Sequence, residues 1–161
     1  MIDPRYLNVL RRIVASLQDC HCPWVITGSL GMALQGMVIA VNDIDIQTDR
    51  DGAFEIESRL SATIAEPVRY LVSARIRSYL GRLEMDGIQV EIMGDIAKRL
   101  DDRTWEAPIQ VAQHRRWLAM DGLQIPVLSL IYEYEAYLKL GRMEKADMIR
   151  QFLQQNRLGQ V

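Results

Sequence analysis

The stretch Ile26-Thr27-Gly28-Ser29, followed after thirteen residues by Asp43-Ile44-Asp45-Ile46, carries the strongest pattern in this chain of 161 residues. The first segment ends a short apolar strand in a Gly-Ser turn, where we expect a helix to begin. A strand that turns into a helix in this way presents backbone N–H groups, and glycine lets a phosphate approach them closely. The turn therefore predicts a phosphate-binding site, although a plain helix N-cap would use the same residues.

The second segment alternates acidic and apolar residues. Ile44 and Ile46 alternate with Asp43 and Asp45, which is typical of a strand with one buried face. Asp43 and Asp45 then project from the same face, side by side. Adjacent carboxylates repel each other unless a cation lies between them, and Mg²⁺ is the natural choice. The alternative is the solvated face of an edge strand.

Glu91 is the candidate for a third carboxylate. It lies in the alternating segment Ile88-Gln89-Val90-Glu91-Ile92 and points away from the apolar face. A third acid would let the site hold two metal ions, with Asp95 as the fallback. However, Asp86-Gly87 predicts a hairpin whose register places Arg82 opposite Glu91. Metal binding and an ion pair with Arg82 are therefore both open interpretations of Glu91.

The remainder of the chain predicts further helices and a second hairpin. We expect a helix over residues 4–18, a hairpin at Asp121-Gly122 spanning about 109–127, and two C-terminal helices. No linker, repeat or low-complexity tract interrupts the chain. We therefore predict a single domain over 1–161, with a core at about 22–100 and a C-terminal hairpin and helices at about 101–161.

Composition restricts the class of protein. The chain is 49% hydrophobic and 25% charged with a formal net charge of −2, which is typical of a globular domain and argues against long nucleic acid as a partner. No apolar run approaches the roughly 18 residues of a membrane helix, so we expect no membrane partner. Cys20 and Cys22 are too close in sequence for a useful cross-link and fit a reducing compartment. The cytoplasm is the predicted location.

Gly28-Ser29, the Asp43-Ile44-Asp45 segment and a later acid in an apolar strand together resemble the DNA polymerase beta-type nucleotidyltransferase superfamily. The resemblance covers about residues 24–95 and is strongest to the small single-domain members. It implies an α/β (α+β) fold in which helices pack on one face of a mixed β-sheet. It also implies magnesium-dependent transfer of a nucleoside monophosphate from a nucleoside triphosphate to a hydroxyl or phosphate acceptor.

The resemblance also assigns roles to residues. Gly28 and Ser29 would bind the triphosphate, Asp43 and Asp45 would hold the metals, and Glu91 would be the base or the third metal ligand. Two Mg²⁺ ions are expected with the nucleotide bound. Lys145, on the last predicted helix, is a further candidate for a substrate phosphate. The acceptor, a small molecule or a macromolecule, could bind against 101–161 or across the interface of a homodimer.

A catalytically inactive member of the same fold is the alternative. Such a protein would act as a binding partner, for example in a toxin–antitoxin or defence pair. Ile39 and Val41 favour this interpretation, because many relatives carry arginine and threonine at these positions. The predicted pairing of Arg82 with Glu91 also favours it, whereas the Gly-Ser turn and the two aspartates favour an enzyme.

Overall fold

The computed structural model describes residues 1–158 as seven strands and five helices. In chain order the elements are α1 (Pro4–Leu17), β1 (Trp24–Thr27), α2 (Gly28–Leu34), β2 (Ile44–Thr48), α3 (Arg50–Arg59), β3 (Ile64–Val72), β4 (Ile76–Met85), β5 (Ile88–Lys98), β6 (Arg115–Met120), β7 (Leu123–Leu128), α4 (Leu130–Lys139) and α5 (Met143–Leu158). The last three residues of the predicted domain, 159–161, lie outside the described residues.

All seven strands form one mixed sheet in the order β3-β4-β5-β2-β1-β7-β6. Strand β2 is parallel to β5 and antiparallel to β1, and β1 is parallel to β7. The C-terminal hairpin β6–β7 therefore extends the same sheet as the core strands. The predicted mixed sheet, α+β class and helical C-terminus are confirmed.

One face of the sheet is apolar and is covered by helices α1 and α3. Ile26, Ile46 and Ile92 lie side by side in register on this face, and each is fully buried. Helix α1 begins at Pro4 and is capped by the Asp3 carboxylate, which accepts a hydrogen bond from the Arg5 N–H at 2.9 Å. Its buried stripe packs into the same core. The opposite face carries the polar side chains and is partly covered by α4.

Both predicted hairpins are present, each with a left-handed aspartate followed by a left-handed glycine. The turn at Asp86-Gly87 has φ values of 52° and 77°, and Arg82 pairs with Glu91 as predicted. The second turn, Asp121-Gly122, has φ values of 51° and 77°. Its first strand begins at Arg115 rather than near residue 109, because the residues before it form an irregular segment with a short 3₁₀ turn.

A bulge in β5 changes which side chains face the polar side of the sheet. Tyr79 pairs with Gly94 whereas Arg77 pairs with Ala97, so β5 contains one extra residue between these pairs. The extra residue allows a left-handed backbone at Asp95, where φ is 51°. Beyond the bulge the alternation is shifted by one position. Ile96 and Lys98 consequently line the same cleft as Glu91 and Met93.

The structure corrects the expectation for the cysteines. Cys20 and Cys22 form a disulfide that closes only the short turn between α1 and β1. Paired cysteines do not argue for a reducing compartment, so this support for a cytoplasmic location is lost. Within residues 1–158, every helix is too short or too polar to cross a lipid bilayer.

Candidate active site

A row of polar residues crosses the polar face of the sheet, opposite α1 and α3. The register places Thr27 on β1 beside Asp45 on β2, Asp45 beside Glu91 on β5, and Glu91 beside Arg82 on β4. Each of these residues lies one position from a buried apolar residue of its strand. Asp43 comes directly before β2 and is half-buried. The fold thus brings the predicted acids Asp43, Asp45 and Glu91 to one region of one face.

The two aspartates lie in an environment that disfavours their charge. Burial, together with the charges of Asp43, Glu91 and Glu133, raises the pKa of Asp45 to about 7. Burial also raises the pKa of Asp43, with a second contribution from Glu91. Lys145 opposes both shifts. Excess negative charge of this kind is what a cation bound between carboxylates would relieve.

The Gly-Ser turn lies directly against Asp45. Gly28 has a φ of 64°, and a Cβ atom on it would collide with the Asp45 carboxylate, so only glycine fits this position without strain. The next residue, Ser29, has a buried hydroxyl oxygen without a hydrogen-bond partner within the described residues. A buried hydroxyl without a partner is costly, and a ligand oxygen could satisfy it. The predicted phosphate-binding residues are therefore adjacent to the predicted metal-binding ones.

Glu91 forms the ion pair that the hairpin register predicts. Its Oε1 accepts hydrogen bonds from Arg82 Nε at 3.0 Å and from Gln89 Nε2 at 3.2 Å, and Arg82 also binds Glu66 at 3.1 Å. Glu91 nevertheless lines the cleft, and its charge raises the pKa of both Asp43 and Asp45. Glu91 can thus pair with Arg82 and still lie beside the two aspartates.

Glu133 is a member of the site that sequence reasoning missed. It lies on α4, is only 3% exposed, and accepts hydrogen bonds from the Thr27 hydroxyl and from the Gly28 N–H, the latter at 3.1 Å. Burial raises its pKa, while these hydrogen bonds act in the opposite direction. Glu133 ties α4 to the Gly-Ser turn. Its partners are more than 100 residues away in sequence, so no local pattern could have identified it.

Basic side chains approach the acids from the end of α4 and from α5. Lys145 Nζ lies 5.4 Å from the centre of the Tyr137 ring, and its charge lowers the pKa of Glu133 as well as those of the aspartates. Arg142, in the turn between the two helices, lines the cleft. Lys145 therefore lies close enough to the acids of the site to influence their pKa values, and its predicted contact with a substrate phosphate stays a prediction.

A cleft of about 250 Å³ separates the polar face from α4. Its walls combine the polar residues of the site with an apolar portion, and they comprise Thr27, Gly28, Asp45, Gln47, Ile76, Glu91, Met93, Ile96, Lys98, Leu128, Tyr132, Glu133, Ala136, Tyr137, Leu140 and Arg142. A space of this size accommodates part of a small molecule beside the carboxylates.

The carboxylates fit a metal ion only in combination with a substrate. Within residues 1–158, no group of three or more His, Cys, Asp and Glu side chains is arranged to hold a metal ion by itself. Mg²⁺, however, is commonly held by one or two carboxylates together with water and substrate phosphates. Asp43 and Asp45 offer such a pair, and Asp45 lies against Gly28 of the Gly-Ser turn. The metal roles predicted for Asp43, Asp45 and Glu91 stay predictions.

Solved structures identify the class of protein to which this fold belongs. A Thermotoga maritima protein (TM1012), provisionally described as a nucleotidyltransferase, is 52% identical, with 96% of each chain covered and a TM-score of 0.85. The adenylyltransferase ANT(2″)-Ia, in complex with adenylyl-2″-tobramycin, is 12% identical over 92% of this chain and 90% of its own, with a TM-score of 0.57. The lincomycin-bound lincosamide adenylyltransferase LnuA is 14% identical over 89% of this chain and 95% of its own, with a TM-score of 0.59. The last two likenesses show the fold alone. The chain has the nucleotidyltransferase fold.

The family follows from the sequence. The family model described as aminoglycoside-2″-adenylyltransferase matches residues 9–151, and the chain therefore belongs to this family. No curated protein matches the chain. The family and the fold confirm the resemblance to the nucleotidyltransferase superfamily that Gly28-Ser29 and Asp43-Ile44-Asp45 indicated.

Proposed function

We propose that this protein transfers a nucleoside monophosphate from a nucleoside triphosphate to a hydroxyl group of a small-molecule acceptor. The observation that carries the proposal is the contact between the Gly-Ser turn and Asp45. Gly28 and Asp45 line the cleft, Asp43 and Asp45 have raised pKa values, and the adjacent Ser29 has a buried hydroxyl without a partner among the described residues. Triphosphate binding needs donors close to the backbone, and metal binding needs paired carboxylates.

The triphosphate would bind at the Gly-Ser turn. Gly28 lets the turn lie against the Asp45 carboxylate because it has no Cβ, and the Ser29 hydroxyl would donate to a phosphate oxygen. Lys145 and Arg142 supply positive charge on the side of α4 and α5. This charge would offset the negative charge of the substrate, which otherwise adds to that of the acids.

Asp43 and Asp45 would hold Mg²⁺, and Glu91 is the further predicted ligand or base. The bound cation would neutralise charge on the phosphates and on the attacking oxygen. Their raised pKa values mean that the carboxylates release protons when a cation binds, so affinity for the metal should increase with pH up to about 7. Glu133, in contrast, is held by Thr27 and Gly28 and would keep the turn in position.

The transfer is a displacement at the α-phosphorus. The acceptor hydroxyl oxygen forms a new P–O bond, the bond between the α-phosphorus and its bridging oxygen to the β-phosphate breaks, and pyrophosphate leaves with that electron pair. Glu91 would take the hydroxyl proton, since it lines the cleft beside Asp45. Arg82 would keep the Glu91 carboxylate in position for this step.

The acceptor is proposed to be a small molecule. ANT(2″)-Ia and LnuA, which share the fold, were solved with an adenylylated tobramycin and with lincomycin. The cleft of about 250 Å³ suits a compound of limited size better than a polymer. A net charge of −2 gives no general attraction for nucleic acid.

The experiment is a label-transfer assay. The protein is incubated with α-³²P-labelled ATP, Mg²⁺ and pools of hydroxylated small molecules, and labelled acceptor and pyrophosphate are measured together. We expect Asp45→Asn to reduce transfer by at least about a thousandfold, whereas Glu84→Gln, an exposed acid on β4, leaves it unchanged. Transfer that persists in the Asp45→Asn variant would contradict the proposal.

The catalytically inactive partner is the second candidate. The ion pair between Arg82 and Glu91 favours it, because a paired carboxylate is a weaker base and metal ligand. An inactive member would show no label transfer in any pool and no magnesium-dependent nucleotide binding. Binding of ATP that requires both Mg²⁺ and the aspartates would exclude this candidate.

A further inference from the structure

Lys98 is a buried ammonium group at the apolar end of the cleft. Lys98 is only 5% exposed, and its Nζ donates a hydrogen bond to the hydroxyl of Tyr132 at 3.0 Å. Among the described residues, no carboxylate lies within ion-pair distance of this nitrogen. The neighbouring Lys139, by contrast, binds Glu106 at 2.5 Å. Among the described residues, the hydrogen-bond partner of this buried charge is therefore a neutral hydroxyl, while Glu106 and Glu133 act on it only from a greater distance.

Such a group is costly in the ligand-free protein. A buried lysine without a counter-charge loses hydration that a single phenol does not replace. Burial accordingly lowers the pKa of Lys98, and the nearby charge of Lys139 acts in the same direction, while Glu106 and Glu133 oppose it. An anionic group placed in the cleft beside Nζ would supply a counter-charge at ion-pair distance.

The surroundings of Lys98 distinguish this end of the cleft from the end at Asp45. The bulge at Asp95 turns Lys98 onto the cleft face together with Ile96. Tyr132, the hydrogen-bond partner of Lys98, packs in one apolar cluster with the cleft residues Ile76, Met93, Ile96 and Leu128. A triphosphate carries several negative charges and needs several donors, which these residues do not offer. The chemistry of this end fits an apolar body with one negative group.

We infer that the cleft takes an acceptor with an apolar body, a reacting hydroxyl and a single carboxylate, and that Lys98 Nζ binds this carboxylate. The inference rests on the proposed function, since it assumes that the acceptor occupies the cleft beside Asp45. The hydroxyl would face Asp45 and Glu91, and the carboxylate would face Lys98 and Tyr132.

The probes are hydroxyaryl carboxylic acids, each compared with its neutral amide, starting with 3-(4-hydroxyphenyl)propionate. Calorimetry should give at least about tenfold tighter binding of the acid than of the amide, as expected for a buried hydrogen bond between two charged groups. Lys98→Met should abolish this preference, whereas Lys139→Met should retain it because Lys139 is exposed and already paired. Equal binding of acid and amide throughout the series would overturn the inference.

A spectroscopic measurement on the wild-type protein avoids dependence on the folding of a variant. The chain has three lysines, Lys98, Lys139 and Lys145, so ¹³C-lysine labelling gives three side-chain signals that single Lys→Arg variants assign. Addition of the acid should move the Lys98 signal and raise the pKa of Lys98, and the amide should do neither. Shifts confined to Lys139 and Lys145 would contradict the assignment.

Titration of ATP with Mg²⁺ separates this inference from the proposed function. Lys98→Met should bind ATP within about twofold of the wild-type protein, because the triphosphate binds at the opposite end. A tenfold loss of ATP affinity in this variant would assign Lys98 to the nucleotide and overturn the inference. If the wild-type protein binds no ATP but still prefers the acids through Lys98, the proposed function fails and the carboxylate site stands.

Discussion

Residues that are neighbours in sequence lie on opposite faces of the central strands, and the two faces have different roles. One face forms the core and the other forms the candidate site. The apolar face carries the row Ile26, Ile46 and Ile92, and the polar face carries the row Thr27, Asp45 and Glu91. The apolar row is fully buried under α1 and α3 and stabilises the fold. The pKa of Asp45 in the polar row is raised, as is that of the neighbouring Asp43, and the charge of Glu91 contributes to both shifts.

The polar row lowers the stability of the ligand-free protein, and the adjacent apolar core offsets this loss. Neighbouring carboxylates lower the stability of a ligand-free fold, because their charges repel each other in a partly desolvated place. Strands fixed by a close-packed apolar row keep those carboxylates together even so. Substitutions on the apolar face should therefore lower stability, and removal of charge on the polar face should raise it.

The largest effect is expected on the apolar face. Ile46→Ala removes a fully buried side chain and should lower the free energy of unfolding by about 2–5 kcal/mol, measured by urea denaturation. Gln47→Ala, on the same strand but on the polar face, is the matched control and should cost less than about 1 kcal/mol. Comparable losses in the two variants would mean that the two faces do not differ as described.

A somewhat smaller effect is expected where the Gly-Ser turn meets the polar row. Gly28→Ala places a Cβ against the Asp45 carboxylate at a left-handed φ and should cost about 2–3 kcal/mol. Gly87→Ala is also left-handed, but its Cβ would meet no atom within 4 Å, so it should cost only about 1 kcal/mol. Thermal and urea unfolding of both variants measures the difference. An equal loss of stability in the two variants would show that the turn is not in close contact with Asp45.

The third effect has the opposite sign. The unfolded chain releases the Asp45 proton near pH 4, whereas the folded chain retains it to about pH 7, so stability falls as pH rises through this window. Asp45→Asn should flatten this pH dependence and raise the free energy of unfolding at pH 8 by about 1–2 kcal/mol, after allowance for partial hydration. Urea denaturation between pH 4 and 8 measures it, with Glu84→Gln as control. A loss of stability at pH 8 would refute the expected repulsion.

The smallest effect concerns the half-exposed ion pair of the polar row. Arg82→Gln removes the partner of Glu91 and should change the free energy of unfolding by less than about 1 kcal/mol. The same variant should slow nucleotidyl transfer if Arg82 positions the Glu91 carboxylate. The ratio of transfer rates, measured beside urea denaturation, separates the two roles. A large loss of stability with unchanged transfer would make the pair structural.

The local sequence patterns predicted the elements that meet at the site. Strict alternation in Asp43-Ile44-Asp45-Ile46 and the Asp86-Gly87 turn determine which side chains share a face, and the structure has that register. The Gly-Ser turn after β1 was predicted in the same way, and α2 begins at Gly28. These features depend on neighbours in sequence, which is why they could be predicted.

The features that were missed depend on contacts between distant segments. Glu133 reaches Thr27 across 106 positions of sequence, and Lys98 faces the cleft only because of a bulge at Asp95. Asp95 was considered a fallback acid, whereas in the structure its left-handed backbone interrupts the register. The spacing of Cys20 and Cys22 likewise does not predict the disulfide that the structure shows between them.

A calorimetric titration of ATP with and without Mg²⁺ tests whether the polar row binds nucleotide and metal. The wild-type protein and the Asp43→Asn/Asp45→Asn double variant are compared, with Glu84→Gln as a control for loss of charge. If the polar row is a nucleotide and metal site, the wild-type protein and Glu84→Gln should bind ATP more tightly with Mg²⁺, by at least about tenfold. The double variant should show no such dependence. Identical magnesium dependence in the double variant, or no binding of ATP by the wild-type protein, would contradict the account.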